Sequence, residues 1–224
     1  MKIVISESQY KRLIEAEEEQ KVLRIPSLKF FNDDWFILEK FLDHKGNPPY
    51  SIGGDLDLRK TPIESLGNLT SVGGDLDLHG TEIKSLGNLI SVSGDLNLYG
   101  TPIESLGNLT SVGGDLNLYG TLIESLGNLQ SVGGDLYSES TLIESLGNLQ
   151  SVGGYLDLQN TPIKSLGNLT SVGGDLVLRN TPIESLGNLQ SVGGDLSLRQ
   201  TQLYKTYTGK KIRQMIKVGG YIYL

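Results

Sequence analysis

One 20-residue unit, repeated almost without change, restricts this chain more than any other feature it has. Counting from Ser51 as position 1, the unit reads S-V-G-G-D-L-x-L-x-x-T-x-I-x-S-L-G-N-L-x and recurs through Gln190. A diverging eighth copy follows at 191–210, then a half-unit at 217–224. Within Gly74-Asp75-Leu76-Asp77-Leu78 polar and apolar residues alternate with the period of a strand. Leu76 and Leu78 are therefore expected to point inward, with Asp75 and Asp77 facing water. This predicts one strand per unit, at 55–58 and each 20-residue step to 195–198, plus a last strand near 221–224. Ile83, Leu86, Leu89 and Val92 return apolar side chains to the interior along the rest of the coil. The paired glycines, such as Gly73-Gly74, are expected to turn the chain through backbone angles closed to other residues.

A single coil cannot bury its own leucines, whereas stacked coils place Leu56, Leu76, Leu96, Leu116 and their successors in one buried row. Parallel strands lie about 4.8 Å apart, so nine of them predict an array roughly 40 Å long. Ser138 stands in the row otherwise formed by Leu58, Leu78, Leu98, Leu118, Leu158, Leu178 and Leu198, and is expected to weaken its coil.

The segment L-x-L-x-x-T-x-I-x-S-L resembles the leucine-rich-repeat segment L-x-L-x-x-N-x-L. S-V-G-G-D-L is similar to short bacterial, phage and receptor-L-domain variants, over residues 51–203. The resemblance implies an α/β repeat solenoid: a right-handed leucine-rich-repeat coil with one parallel strand per 20-residue repeat and a helical N-terminal cap. Thr61, Thr81 and Thr101 stand where that family usually has asparagine, and Gly53, Gly73 and Gly113 where it often has leucine. Its internal amide ladder is accordingly not expected here.

Three regions follow: a helical cap at 1–50, the solenoid at 51–203, and a C-terminal helix with a terminal strand at 204–224. Ser6 and Gln9 read as a capping box ahead of an amphipathic helix carrying Tyr10, Leu13 and Ile14. The run Glu15 to Lys21 reads as a solvated helix face or linker. A second helix is expected near Asp33–Leu42, with Trp35, Leu38 and Leu42 on one face. The opening MKIVISESQYKRLIEA resembles the starts of tailed-phage proteins. Tyr204 to Ile216 replaces the S-L-G-N-L segment with a basic stretch expected to be helical, ahead of an edge strand at Tyr221 to Leu224.

Function is bounded first by charge. A net charge of −7 and a pI near 4.9, with no basic stripe through the repeats, disfavour a nucleic-acid partner. No cysteine is present to form a disulfide, a thiolate metal site or a nucleophile. The start lacks a signal-peptide pattern and no stretch is long and apolar enough for a bilayer. These readings predict no membrane partner and a protein that is not conventionally secreted, in the cytoplasm or on a virion. His44 and His79 lack partners for a metal pair or triad, and no phosphate-loop, nucleophile-elbow or dinucleotide motif appears. Neither enzymatic activity nor a cofactor is expected. Asn68, Asn108 and Asn168 begin Asn-x-Thr triplets, yet Asn88, Asn128 and Asn148 hold the same place without them, so the asparagine is assigned to a turn.

Two constellations remain. Asp55, Asp75, Asp95, Asp115, Asp135, Asp175 and Asp195 form a column interrupted by Tyr155. Their repulsion, about 1 kcal/mol per neighbour even in water, has to be offset by cations, by adjacent amides or by nearby arginines. A calcium ladder is the functional alternative, although the unit departs from the calcium-binding roll pattern. The second constellation comprises positions 7 and 9, where the units differ most. With Tyr155 from the aspartate column beside them, they bring together Tyr99, Tyr119, Tyr137, His79, Arg179 and Arg199, residue types favoured at interface anchors. These seven are the candidate ligand-binding residues on a concave strand face. The expected function is non-enzymatic recognition of a protein or glycan. The alternative is a structural protein that stacks into a fibre or decorates a phage particle, with weak self-association through the C-terminal edge strand.

Overall fold

In the computed structural model residues 22–224 are described; the expected capping box and helix at Ser6 to Ile14 and the acidic run at Glu15 to Lys21 lie outside them. The described chain is a β-solenoid of leucine-rich 20-residue coils. Each coil contributes two short strands rather than one. Ser91–Val92 and its equivalents build a ten-stranded parallel sheet, the first sheet; Leu96–Asn97 and its equivalents build a nine-stranded parallel sheet, the second. Equivalent residues of successive units pair in register, Val72 with Val92 and Leu76 with Leu96, so the sequence period is the spatial period.

The one-strand α/β coil is thereby corrected. Between coils the second sheet is backed by another sheet, not by helices, and among the described residues no repeat before the diverging eighth contains a helix. Positions 13–19 are irregular, joined only by isolated bridges such as Ser85 with Ser105. Two strands fit because the chain bends sharply between Val92 and Leu96. The strand face is therefore not set against a helical layer, and the expected concave-strand geometry loses its structural premise.

The interior is apolar and close-packed. Val72, Leu76, Leu78, Ile83, Leu86 and Leu89 of one coil are all essentially fully buried, and the same positions repeat this down the array. Each side chain rests on its equivalent in the next coil, so stability accumulates by nearest neighbours. The conserved threonines are buried too. Each hydroxyl donates to the carbonyl three residues back in its own coil, as Thr101 Oγ1 does to Leu98 O at 2.8 Å, so no ladder runs between coils at this column.

Glycine's role differs from the expected one. Gly73 and Gly74 are not in the left-handed region; those angles occur at position 17, as in Gly87 (φ +58°), and at position 10, as in Gly100 (φ +65°). The paired glycines are required by close approach instead: a Cβ on Gly114 would collide with the Asp95 carboxylate of the preceding coil.

Ser138 is a second correction. It is fully buried in the leucine row, but its hydroxyl donates to Asp157 O at 2.6 Å, so the polar group is satisfied rather than stranded. Replacing it with leucine exchanges that bond for apolar burial, and the stabilisation expected from sequence no longer follows.

The ends are built differently from the repeats. Leu23–Ile25 pairs in parallel with Tyr50–Ile52, so the N-terminal segment adds a strand to the first sheet and is not purely helical. Helix α1, Trp35–His44, is capped by Asp34, whose carboxylate accepts from Phe36 N and Ile37 N. It buries Trp35, Leu38 and Leu42 against the array. At the other end the basic stretch forms two short helices, α2 (Gln202–Thr206) and α3 (Gly209–Met215), before strands Lys217–Val218 and Ile222–Tyr223 complete the two sheets.

Candidate binding face

The outer face of the second sheet carries positions 5, 7 and 9 of every coil, and each of the three columns has its own chemistry.

Position 5 is a hydrogen-bonded ladder. Asp75 Oδ1 accepts from Asp95 N at 2.8 Å, Asp95 Oδ1 from Asp115 N at 2.8 Å, and Asp115 Oδ1 from Asp135 N at 2.7 Å. Each carboxylate thus satisfies the amide of the following coil at the bend between sheets, where strand pairing lapses. Such charge-assisted bonds are worth about 1.5–3 kcal/mol each, more than the roughly 1 kcal/mol of like-charge repulsion. Among the described residues no three histidine or carboxylate side chains converge to hold a metal ion. Tyr155 interrupts the ladder. Its own amide still donates to Asp135 Oδ1 at 2.7 Å, but it offers the Asp175 amide no carboxylate in return.

At position 7 an Asp or Asn side chain accepts from the backbone amide two residues on. Asp77 Oδ1 takes His79 N at 3.0 Å, and Asn97 Oδ1 takes Tyr99 N at 3.1 Å. The Asp/Asn alternation there is structural. Tyr137, Val177, Ser197 and Tyr223 are the departures from it.

Position 9 holds the aromatic strip. His79 and Tyr99 have ring centroids 4.9 Å apart, and Tyr99 and Tyr119 stack at 5.5 Å with planes 5° apart. The His79 Nδ1 lies 3.0 Å from Tyr99 O; a carbonyl only accepts, so Nδ1 is the donor in this contact. The stack covers the faces that the two tyrosines turn to each other, and His79 lies against the far side of Tyr99. Among the described residues neither hydroxyl has a hydrogen-bond partner, and both side chains are exposed.

The next two coils concentrate the irregularities. Tyr137 OH donates to Asp135 Oδ2 at 2.7 Å, and Tyr155 OH to Asp157 Oδ2 at 3.0 Å, with the two rings 6.0 Å apart. The bond to Asp135 pushes the Tyr137 phenol up to about 12; burial, then the Asp157 charge, raises that of Tyr155 further. Asp157 is buried, and its carboxyl is held above the usual range, chiefly by desolvation. Beyond it the face turns cationic at Arg179 and Arg199, and the Arg199 guanidinium sits 5.0 Å over the Tyr223 ring.

All seven candidate residues therefore share one face, in two groups and a basic end. His79, Tyr99 and Tyr119 are contiguous; Tyr137 and Tyr155 touch each other; Arg179 and Arg199 flank the C-terminal end. Sequence reasoning passed over Asp157, whose burial is visible only once Tyr155 covers it, and Lys205 and Tyr204, which α2 brings beside the arginines. A comparison with known protein families, curated proteins and solved structures found no match to this chain.

Proposed function

We propose that the chain is a non-enzymatic binding module that recognises a protein partner through the outer face of the second sheet. The observation that carries this is where the units diverge: core, ladder and turn positions are kept nearly constant, while position 9 runs Arg59, His79, Tyr99, Tyr119, Glu139, Gln159, Arg179, Arg199 on one exposed column. Tyrosine and arginine dominate the energetics of protein interfaces, and the adjoining strands hold them rigidly. A glycan is the less favoured ligand, because sugars stack on aromatic faces and the Tyr99–Tyr119 stack, with His79 beside it, covers three of the strip's four tyrosine faces. The leucine-rich-repeat resemblance of the L-x-L segment agrees with a binding scaffold, and that of the opening residues with a phage setting; both are analogies of sequence.

The test is affinity capture from the source organism with three proteins: wild type, Tyr99→Ala/Tyr119→Ala and Glu64→Ala/Glu104→Ala. Loss of the tyrosine pair removes mutual stacking and costs about 1 kcal/mol of stability, leaving the fold intact. The expected result is that this variant loses the partner and the glutamate variant keeps it. Equal loss from both, or capture unaffected by the tyrosines, defeats the assignment.

A second reading, assembly into a larger structure, is favoured by one observation. Among the described residues strand Ile222–Tyr223 has no strand on its outer side, although Leu196 N and Leu198 N donate to Tyr221 O and Tyr223 O on its inner side.

A further inference from the structure

Arg59 shows how the unit can neutralise an arginine at position 9: Asp57 pairs with it at 2.6 Å, and Asp77 of the next coil lies 3.6 Å away. Arg179 and Arg199 occupy the same position in the turns that follow adjacent strands, but Val177 and Ser197 stand where those aspartates would be. Among the described residues neither arginine has a carboxylate within 4 Å. The nearest aspartates of the face, Asp175 and Asp195, each have one oxygen committed to the amide ladder, to Asp195 N and Tyr221 N. Two guanidinium groups carried by successive coils, whose backbones stack about 4.8 Å apart, repel unless an anion joins them. They are nonetheless held in place. The Arg199 guanidinium lies over Tyr223, and Arg179 Nε reaches Gln200 Oε1 at 3.5 Å.

Helix α2 then adds the other half of a site. Thr201 accepts from Tyr204 N and donates to Leu198 O, fixing the helix beside the strand end. Lys205 and Tyr204 thereby line, with Arg179, Arg199, Pro182 and Leu224, a cavity of about 650 Å³ with no Asp or Glu side chain in its wall. This volume is within the range of small-molecule sites. The cations approach from two elements, the sheet face and the helix, rather than from one plane. That arrangement suits a tetrahedral dianion better than a flat carboxylate, whose acceptors lie in a single plane. Pro182 and the exposed Tyr204 ring supply an apolar wall for the group the anion is attached to.

We propose that this notch binds a phosphate monoester, its phosphate shared by Arg179, Arg199 and Lys205 and its organic part against Pro182 and Tyr204. The notch does not depend on partner recognition by the aromatic strip, and either can fail without the other. Calorimetric titration of the full chain at low salt tests it, with inorganic phosphate, phenyl phosphate and benzoate as probes. Phenyl phosphate is expected to bind more tightly than inorganic phosphate, and benzoate at least tenfold more weakly. Arg179→Gln/Arg199→Gln should weaken phenyl phosphate at least tenfold, Lys205→Gln less so, and Tyr99→Ala/Tyr119→Ala not at all, all with unaltered circular dichroism. Absence of binding by any probe, undiminished binding in the double arginine variant, or equal affinity for benzoate overturns the proposal.

Discussion

At the scale of single residues, the informative positions are those where a constant unit is broken, because the unit defines what each position does when it serves only the fold. Asp157 would be an ordinary position-7 acceptor, taking Gln159 N at 2.9 Å, had Tyr155 not replaced the ladder aspartate and covered it. Its carboxyl is raised in the folded chain, first by burial, with the bonds from Gln159 and Tyr155 acting the other way and the Glu139 charge adding to the rise. The sign follows from linkage: the folded state disfavours the charged form, so the associated stability is present below the unfolded-state value and is lost as pH rises through the folded one. Asp157→Asn keeps an acceptor for Gln159 N and removes the buried charge. Its unfolding midpoint is expected to exceed that of the wild type at pH 7, the gap closing toward pH 3. Thermal melts across that range check this; a variant less stable at pH 7 would mean that the two hydrogen bonds outweigh desolvation.

At the scale of elements, the coil depends on the bend between its two strands, and the bend depends on the aspartate column. Asp115 Oδ1 accepts the Asp135 amide, and a Cβ on Gly134 would collide with that same carboxylate, so the Gly-Asp pair is specified jointly by neighbouring coils. Asp115→Ala is expected to cost about 1–3 kcal/mol, the range for an amide left without its charged acceptor. Asp115→Asn, which retains an acceptor oxygen, should cost clearly less. Chemical denaturation distinguishes them, and equal losses would show that charge rather than the hydrogen bond matters. This level was only partly legible in sequence. The strand at Leu96–Asn97 follows from alternation, and adjacent amides were among the foreseen partners of the aspartates. The Ser91–Val92 strand, at two residues, is too short to show any periodicity, and what makes it a strand is register with identical residues one coil away. The candidate face was legible because divergence among near-identical units needs no coordinates, whereas the stacking of Tyr99 on Tyr119 and the burial of Asp157 arise from contacts between coils.

At the scale of the molecule, a solenoid is an open stack, and whether it stays single depends on its last coil. Throughout the first sheet each coil donates back to the one before, as Gly113 N does to Val92 O and Gly114 N to Gly94 O. In the last coil the equivalent acceptors are Val218 O and Gly220 O, which a further coil would occupy. Arg213 occupies them instead: from α3 its guanidinium donates to Val218 O at 2.7 Å and to Gly220 O at 2.6 Å. One forked side chain thus stands in for two backbone amides and blunts the first sheet's edge, in the way natural sheets guard exposed strands with charge. The second sheet has no such guard at Ile222–Tyr223, which leaves a half-open end. Arg213→Ala should uncover both carbonyls and convert any weak self-association into a concentration-dependent one detectable by sedimentation. Ile222→Lys charges the other edge, that of the second sheet, and should reduce only the association that runs through Ile222–Tyr223. If Arg213→Ala and Ile222→Lys both sediment as the wild type does at high concentration, neither sheet edge at this end recruits strands, and the assembly reading loses the edge on which it rests.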